Sequence, residues 1–299
     1  MPTLSPARRR EELTFYLFIS PWLIGLVLFT LGPMLISLLV SFTEWDLLSD
    51  PAWIGTENYR RMLADPLFWQ ALKVTATYTA VYVPCELIGG LALALLVRPK
   101  LRGIRVFRTI FYLPSVLAGV AFVVVWIWLL NPRGGLVNLL LAQVGITGPR
   151  WLLDPNWTLV SLLLMSFWGW GRAMVIYLAG LQSIPGEFYE ASAIDGAGGW
   201  RQLRHITLPL LTPTIFFNLV LSIISTFQTF TSAFIATDGG PLDSTLFFVL
   251  YIYRKAFQFR AMGYAAALAW VLFGVVLLLT VLVFRTQRSW VYYGGERSE

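Results

Sequence analysis

Six long segments with few charged residues dominate this sequence of 299 residues. Each has roughly 20 residues or more, which is enough for an α-helix to cross a hydrocarbon core about 30 Å thick. Lipid offers no partner to unpaired backbone groups, so we predict that these segments are helices. Hydrophobic residues make up 57% of the chain and charged residues only 13%, which leaves too little charge to cover a soluble surface. The fold class that follows is an all-α polytopic membrane protein, expected as a single domain over residues 1–299. The six predicted transmembrane helices are Leu13–Phe42, Gln70–Val97, Arg105–Leu130, Trp157–Leu181, Pro209–Ala236 and Met262–Phe284.

The placement of lysine and arginine predicts the orientation, because these residues collect on the cytoplasmic side of a membrane. The short loop from Arg98 to Arg108 is rich in cations and has no acidic residue, and Arg8–Arg10 precede the first span. That first apolar run exceeds the core of a signal peptide, about 7–15 residues, so we expect a retained helix. The first outer loop carries five acidic residues, Glu44, Asp46, Asp50, Glu57 and Asp65. We therefore expect both termini in the cytoplasm, and the net charge of +6 reflects topology rather than a nucleic-acid site.

The sequence contains few of the residues from which a catalytic site is usually built. It has one histidine and one cysteine, Cys85, so it can form neither an intrachain disulfide nor a metal cluster of these ligands. A nucleophile, a base and an orienting group cannot be assembled from this inventory. The chain also lacks the glycine-rich phosphate loop with its lysine that would bind ATP. We expect a non-catalytic chain with no metal site and no cofactor of its own.

The outer loops are short but rich in aromatic residues. Six tryptophans fall near the predicted outer boundary, where their rings settle at headgroup level or serve as a docking surface for an external partner: Trp45, Trp53, Trp69, Trp128, Trp151 and Trp157. The segment "WIGTENYRRMLADPLFW" is typical of a short interfacial helix. The fifth loop, "TDGGPLDSTLFFVLYIYRKAF", contains an apolar stretch too short to span, which favours an interfacial or re-entrant segment.

A polar stretch between the fourth and fifth spans predicts an ordered structure, which we call the inner elbow (residues 185–208). Pro185 ends the preceding helix, Glu187–Ile194 form a short helix with an acid in its first turn, and Gly196 stops it. A second short helix with an apolar face should follow. Small residues suit a close fit into a groove on another protein, and the carboxylate of Glu190 can anchor there.

The elbow also carries a family resemblance. Glu190-Ala191-Ser192, Gly196 and Ile206-Thr207-Leu208-Pro209 resemble the EAA motif of ABC-importer permeases, with Ser192 where the family usually has alanine. The segments "YLAGLQSIPGEFYEASAIDGAG", "FRTIFYLPSVL", "TDGGP" and "GYAAALAW" are similar to the sugar-uptake branch, in particular to permeases like the larger membrane subunit of the maltose transporter. Coupling residues implied by the resemblance are Glu190, Ala191, Ser192, Asp195, Gly196, Ile206, Leu208 and Pro209.

The resemblance implies a six-helix MetI-like bundle in a prokaryotic inner membrane. It implies as partners a second homologous permease, two ATPase subunits whose grooves receive the elbow, and an extracytoplasmic solute-binding protein. ATP and Mg²⁺ would be bound by the ATPase subunits. The chain would form half of the path of a sugar, expected to be a di- or oligosaccharide.

Polar side chains in the fifth span are candidates for sugar contacts, because a sugar path needs hydrogen-bond donors and acceptors. Ser222, Ser225 and Thr226 share one helical face, and Gln228 follows them; such side chains also often bond only to their own backbone. The resemblance aligns Ser222 with a sugar-contacting serine and Thr226 with a contacting asparagine of the maltose permease.

The fourth span adds "SFWGWGRAM". Gly169 aligns with a contacting glycine, and Trp168 offers an aromatic face to a sugar or to lipid. Arg172 stands where the maltose permease has a contacting tyrosine, and intramembrane charges usually face a cavity or a partner. It either donates to substrate or pairs with Glu86, the acid within the second span.

Two other functions remain open from the sequence. Arg172 favours glycerol phosphate or another phosphorylated polyol as the alternative substrate class. A stand-alone secondary transporter is a more remote alternative, since no repeat pair or midplane network of acids is visible.

Overall fold

The computed structural model of the protein describes residues 6–98, 103–117 and 119–292. The contact pattern divides the chain into two compact units, Met1–Ala64 with Ile252–Val271, and Asp65–Tyr251 with Leu272–Glu299. The expectation of a single domain stays a prediction. Lys100, Arg102 and Arg297, which contribute to the predicted orientation, lie outside the described residues.

The first unit begins with an apolar helix that continues through a π-helical turn, Val27–Leu31, and ends in a small hairpin and a short helix. Thr43 pairs with Trp53 and Glu44 with Ala52 in the antiparallel hairpin. Its elements are α1 (Pro6–Leu26), α2 (Gly32–Val40), β1 (Thr43–Glu44), β2 (Ala52–Trp53) and α3 (Glu57–Ala64).

Local hydrogen bonds order the loop between β1 and β2 in the first unit. Asp46 Oδ1 accepts bonds from the backbone of Leu48 and Ser49 and from the Ser49 hydroxyl, and these bonds lower the pKa of Asp46 to about 2. In α3, Glu57 accepts bonds from Arg60 and Arg61, which lower its pKa. The interfacial segment predicted from "WIGTENYRRMLADPLFW" therefore contains a short, ion-paired helix.

The second unit is built around α4, a helix of 31 residues that packs against α9 and α12. Its elements are α4 (Pro66–Leu96), α5 (Ile104–Val116), α6 (Gly119–Leu129), α7 (Leu136–Gln143), α8 (Pro155–Phe167), α9 (Gly171–Gln182), α10 (Gly186–Ile194), α11 (Gly199–Gln202), α12 (Leu208–Phe227) and α13 (Thr231–Ala236). Two further helices, α14 (Phe248–Tyr253) and α15 (Met262–Trp290), contribute residues to both units.

Small residues allow the helices of the second unit to approach closely. A Cβ placed on Gly90 would lie 2.7 Å from Ala173 Cβ, and one on Gly180 would lie 2.4 Å from Thr214 Oγ1. Helices in lipid pack through such close contacts because they gain little from hydrophobic burial between them. The buried side chains around them include Met174, Tyr177 and Leu211.

The third predicted span, Arg105–Leu130, is wrong as one continuous helix. The structure has α5 and α6 there, with axes 99° apart, and Leu117 takes an extended conformation after α5. Pro114 lies inside α5, where its missing N–H and its ring weaken the last turn. At 1.5 Å per residue, α5 and α6 are each only about 15–20 Å long, so neither can cross a membrane alone.

Elsewhere the apolar helices follow the hydropathy pattern. Within the part of the chain that the structure describes, five helices are long and apolar enough to cross a membrane, and the bent pair α5–α6 makes a sixth crossing if it counts as one span. The prediction of an all-α polytopic protein is confirmed. The cytoplasmic location of both termini stays a prediction.

The apolar stretch of the fifth loop is packed inside protein. Leu246, Phe247 and Phe248 are fully buried, and the backbone N–H of Phe248 donates to Thr75 Oγ1 of α4 at 2.9 Å. The Tyr251 hydroxyl donates to Asp65. This segment is therefore anchored to α4 rather than lying free at the interface.

Candidate functional site

The inner elbow bends at a glycine, as the sequence predicts. Gly196 has a φ of +73°, a left-handed conformation that only glycine adopts without strain. Its N–H donates to Ala193 O at 3.1 Å, and the N–H of Ala197 donates to Ser192 O at 2.9 Å; this pair of bonds satisfies the carbonyls at the end of α10. The second arm differs from the prediction, because α11 continues through a π-helical turn, Leu203–Thr207, into α12. The second arm of the elbow is therefore continuous with α12.

A side-chain clamp holds the two arms of the elbow together. Gln202 Nε2 donates to Ser192 Oγ at 3.0 Å and to Tyr189 O at 3.2 Å, and Ser192 Oγ donates to Tyr189 O at 2.9 Å. The serine of the E-A-S sequence therefore bonds within the elbow. An alanine at this position would lack the acceptor that Gln202 uses.

Tyr189 connects the elbow to the rest of the second unit. Its hydroxyl lies 3.0 Å from Thr207 Oγ1, and the Arg98 guanidinium carbon lies 4.5 Å from the centre of its ring. Arg98 lies two residues after the last residue of α4. Tyr189 therefore contacts the elbow's second arm and the segment that follows α4 at the same time, a role that sequence reasoning missed.

The face of the elbow is exposed and partly apolar. Ile194 is 88% exposed, Trp200 73% and Phe188 50%, while Glu190 and Ala191 beside them are also exposed. The docking role predicted for these residues stays a prediction. The remaining predicted coupling residues divide between exposed (Asp195, Gly196) and half-buried (Ile206, Leu208, Pro209).

Two neighbouring cavities lie among the helices of the second unit, and Glu86, Arg172 and Ser225 line both. The first is about 220 Å³ in volume and is lined by Glu86, Arg172, Ala173, Ile176, Asn218, Leu221, Ser222, Ile224, Ser225 and Gln228. The second is about 240 Å³ and is lined by Tyr82, Glu86, Pro114, Ser115, Leu117, Gly119, Phe122, Ser166, Gly169, Arg172 and Ser225. Polar groups from α4, α9 and α12 thus converge on one space between apolar helices.

The ionisable groups of these cavities come from different helices. Glu86 of α4 accepts a hydrogen bond from the Ser222 hydroxyl of α12. Arg172 of α9 lines the same cavities, but within the described chain no ion pair joins it to Glu86 at 4.0 Å or less. A guanidinium group and a carboxyl group therefore line the same cavities without pairing directly.

The structure brings most of the predicted substrate residues together. Arg172, Ser222, Ser225 and Gln228 line the first cavity, and Gly169 lines the second. These roles stay predictions.

Two of the predicted substrate residues do not line either cavity. Thr226 is buried and its hydroxyl donates to Ser222 O at 2.9 Å, whereas Trp168 packs its ring against Phe122 and Trp126. Their substrate roles stay predictions.

Glu86 and Tyr82 are lining residues that sequence reasoning did not assign to the substrate path. The signal available for Glu86 was its acidic side chain within an apolar span. No sequence signal pointed to Tyr82.

A cavity lined by polar and ionisable groups among apolar helices is typical of a membrane transport protein. Comparison with known proteins identifies the class. Residues 86–289 match the family described as binding-protein-dependent transport system inner membrane component. The probable ABC transporter permease protein YesP of Bacillus subtilis (strain 168) is 44% identical over 95% of this chain and 94% of its own length.

Two other matches extend over nearly the whole chain. The lactose transport system permease protein LacF of Rhizobium radiobacter is 37% identical over 95% of this chain and 97% of its own. A solved bacterial ABC transporter involved in the import of the acidic polysaccharide alginate contains a chain that matches with a TM-score of 0.83 at 24% identity, covering 93% of this chain and 96% of that one. This last match shows a shared fold.

The chain therefore belongs to the family of binding-protein-dependent transport system inner membrane components. It is a multi-pass permease subunit of an ATP-binding-cassette importer in a bacterial inner membrane. The sequence-based identification of a MetI-like permease is confirmed.

Proposed function

We propose that this permease forms half of the translocation path for a neutral di- or oligosaccharide. The observation that carries the proposal is the pair of cavities, whose walls combine hydroxyl, amide, carboxylate and guanidinium groups from three helices. Such a mixture of donors and acceptors suits the many hydroxyl groups of a sugar. The lactose permease relative supports the same class.

The proposed complex contains a second homologous permease and two ATPase subunits, with an extracytoplasmic solute-binding protein that delivers the sugar. ATP and Mg²⁺ are bound by the ATPase subunits, and this chain binds no cofactor. The exposed apolar face of the inner elbow supports this arrangement, because it offers Phe188, Ile194 and Trp200 to a soluble partner. The cation-rich loop from Arg98 to Arg108 supports a cytoplasmic location for the elbow.

A phosphorylated polyol such as glycerol phosphate is the second candidate substrate, and Arg172 favours it. A guanidinium binds phosphate through paired hydrogen bonds. Glu86 argues against it, because a carboxylate in both cavities repels an anion. Reconstituted transporter tested with lactose, maltose and longer oligosaccharides should be stimulated by a neutral sugar and not by glycerol 3-phosphate. The opposite result would replace the sugar proposal by the phosphate one.

Altering the elbow should uncouple transport from ATP hydrolysis. We expect Glu190→Lys to lower substrate-stimulated ATPase activity roughly tenfold, as for the loss of a central interface contact. Gly196→Ala should have a smaller effect, since it adds left-handed strain of about 1–2 kcal/mol at the bend. Glu12→Ala, a change of another exposed acid, serves as the control. Full coupling in the Glu190→Lys complex would contradict the proposed docking.

Gly169→Ala tests the second cavity without disturbing the packing. A Cβ at Gly169 meets no atom within 4 Å, so the variant should fold with unchanged thermal stability. Because the methyl group narrows a cavity that the substrate is proposed to occupy, we expect the KM for transport to rise several-fold, roughly as for one unfavourable contact of about 1 kcal/mol. An unchanged KM would place the substrate elsewhere.

A further inference from the structure

Glu86 is an acid on an apolar helix that the structure turns toward a cavity. It lies about 15 Å along the axis from the inner end of α4, at 1.5 Å per residue. Placing an ionisable side chain at such depth costs free energy unless it contacts a polar partner or lines a polar space. Here it accepts hydrogen bonds from the hydroxyl groups of Ser222 and Tyr82 and lines both cavities. Two hydroxyl groups still leave part of the acceptor capacity of a carboxylate, about four lone-pair positions, unused.

Arg172 of α9 shares both cavities with Glu86. It forms no ion pair with Glu86 among the described residues. The walls of both cavities therefore contain a strong acceptor and a strong donor. A neutral molecule with several hydroxyl groups can satisfy both, whereas an anion satisfies Arg172 and is repelled by Glu86.

We infer that Glu86 binds the transported substrate directly and sets its charge selectivity. Its carboxylate accepts hydrogen bonds from hydroxyl groups of a neutral sugar and excludes substrates with an anionic group at that position. This inference rests on the proposed sugar function and adds a residue and a selection rule to it. In the absence of sugar, the Ser222 hydroxyl occupies one of the acceptor positions of Glu86.

The test uses the reconstituted four-subunit transporter with its solute-binding protein and a disaccharide that stimulates the wild-type complex. Glu86→Gln keeps the size of the side chain but removes its charge, and Glu86→Ala removes the acceptor. We expect Glu86→Ala to raise the KM roughly tenfold or more, as for the loss of a hydrogen bond to a charged group, with a much smaller change in kcat. A set of sugar analogues that each lack one hydroxyl group provides a second comparison. We expect the wild type to transport one of these analogues less well than the parent sugar. Glu86→Ala should transport that analogue and the parent sugar equally well.

A double-mutant cycle separates this role from a purely structural link between α4 and α12. If Glu86 serves only to hold Ser222, Glu86→Ala will have no further effect in a Ser222→Ala background. We expect it still to raise the KM and to abolish the discrimination between analogues in that background. No added effect would overturn the inference.

The proposed charge selectivity is tested by a separate measurement. A carboxylated analogue of the same disaccharide, such as lactobionate for lactose, should be excluded by the wild type and transported better by Glu86→Gln. The ratio of the transport rate of the carboxylated analogue to that of the neutral sugar should be at least several-fold higher in Glu86→Gln than in the wild type. Arg172→Gln should lower that ratio. An unchanged ratio in Glu86→Gln would overturn the selection rule while wild-type sugar transport still supported the proposed function. If no neutral sugar stimulates the wild type, the proposed function fails first and the inference falls with it.

Discussion

Replacing Gly171 by alanine is expected to destabilise the permease more than any cavity substitution considered above. Gly171 is the first residue of α9, where that helix crosses α5. A Cβ at this position would lie 2.2 Å from Phe111 O and 2.8 Å from Tyr112 Cα. Both atoms belong to the backbone, so α9 and α5 must separate to admit the methyl group. Overpacking of this kind costs about 1–3 kcal/mol or more.

The measurement is thermal unfolding of the purified protein in detergent, together with the yield of folded protein. Gly274→Ala is the matched control, because Gly274 also lies in a long helix and its Cβ would meet no atom within 4 Å. We expect the control to be neutral or slightly stabilised, since alanine favours a helix over glycine by up to about 1 kcal/mol. Equal stability of the two variants would show that α5 and α9 are not packed as described. Where Gly171→Ala does fold, the shift of α9 should also displace Arg172 and raise the KM.

The sequence predicts the helical spans well because their signal is local. A span needs about 20 consecutive apolar residues, whatever it packs against, and the segments of α4 and α15 satisfy this requirement on their own. The class of protein was equally accessible, because the motif from Glu190 to Pro209 is contiguous. The prediction of a continuous helix failed in the third span, because the effect of a proline there depends on residues that are distant in the sequence. Pro114 was visible, but whether a proline bends a span slightly or breaks it depends on what its neighbours can satisfy.

The cavity was less accessible than the spans, because it depends on pairs of distant residues. Glu86 and Ser222 are 136 residues apart in the chain, and a single sequence contains no signal that joins them. The buried stretch from Leu246 to Phe248 illustrates the same limit, since its anchor on Thr75 is 173 residues away. Hydropathy alone cannot separate a segment buried in protein from one at the membrane surface. The internal clamp between Ser192 and Gln202 required the actual bend at Gly196.

Removing the side chain of Tyr189 is expected to abolish coupling while leaving the complex assembled. The ring contacts Arg98, two residues after the last residue of α4, and its hydroxyl bonds to Thr207. The same α4 carries Glu86 into the cavity. Tyr189→Ala removes a cation–π contact of about 0.5–2 kcal/mol and a hydrogen bond of about 1 kcal/mol. The elbow then moves with the ATPase subunit without moving α4. We therefore expect substrate-stimulated ATPase activity and transport to fall more than tenfold, which corresponds to a loss of about 1.4 kcal/mol or more of coupling free energy.

The neighbouring aromatic residue provides the contrast. Phe188 is half exposed on the face proposed to dock, so Phe188→Ala should weaken co-purification of the ATPase subunit, whereas Tyr189→Ala should leave co-purification intact. Tyr189→Phe keeps the ring beneath Arg98 and loses only the bond to Thr207, and it should therefore retain intermediate coupling. Loss of assembly in Tyr189→Ala, or full coupling in it, would contradict the linkage. Both variants shorten an aromatic side chain on the same helix. If Phe188→Ala lowers assembly and Tyr189→Ala lowers coupling, then Phe188 serves docking and the contacts of Tyr189 transmit force to α4.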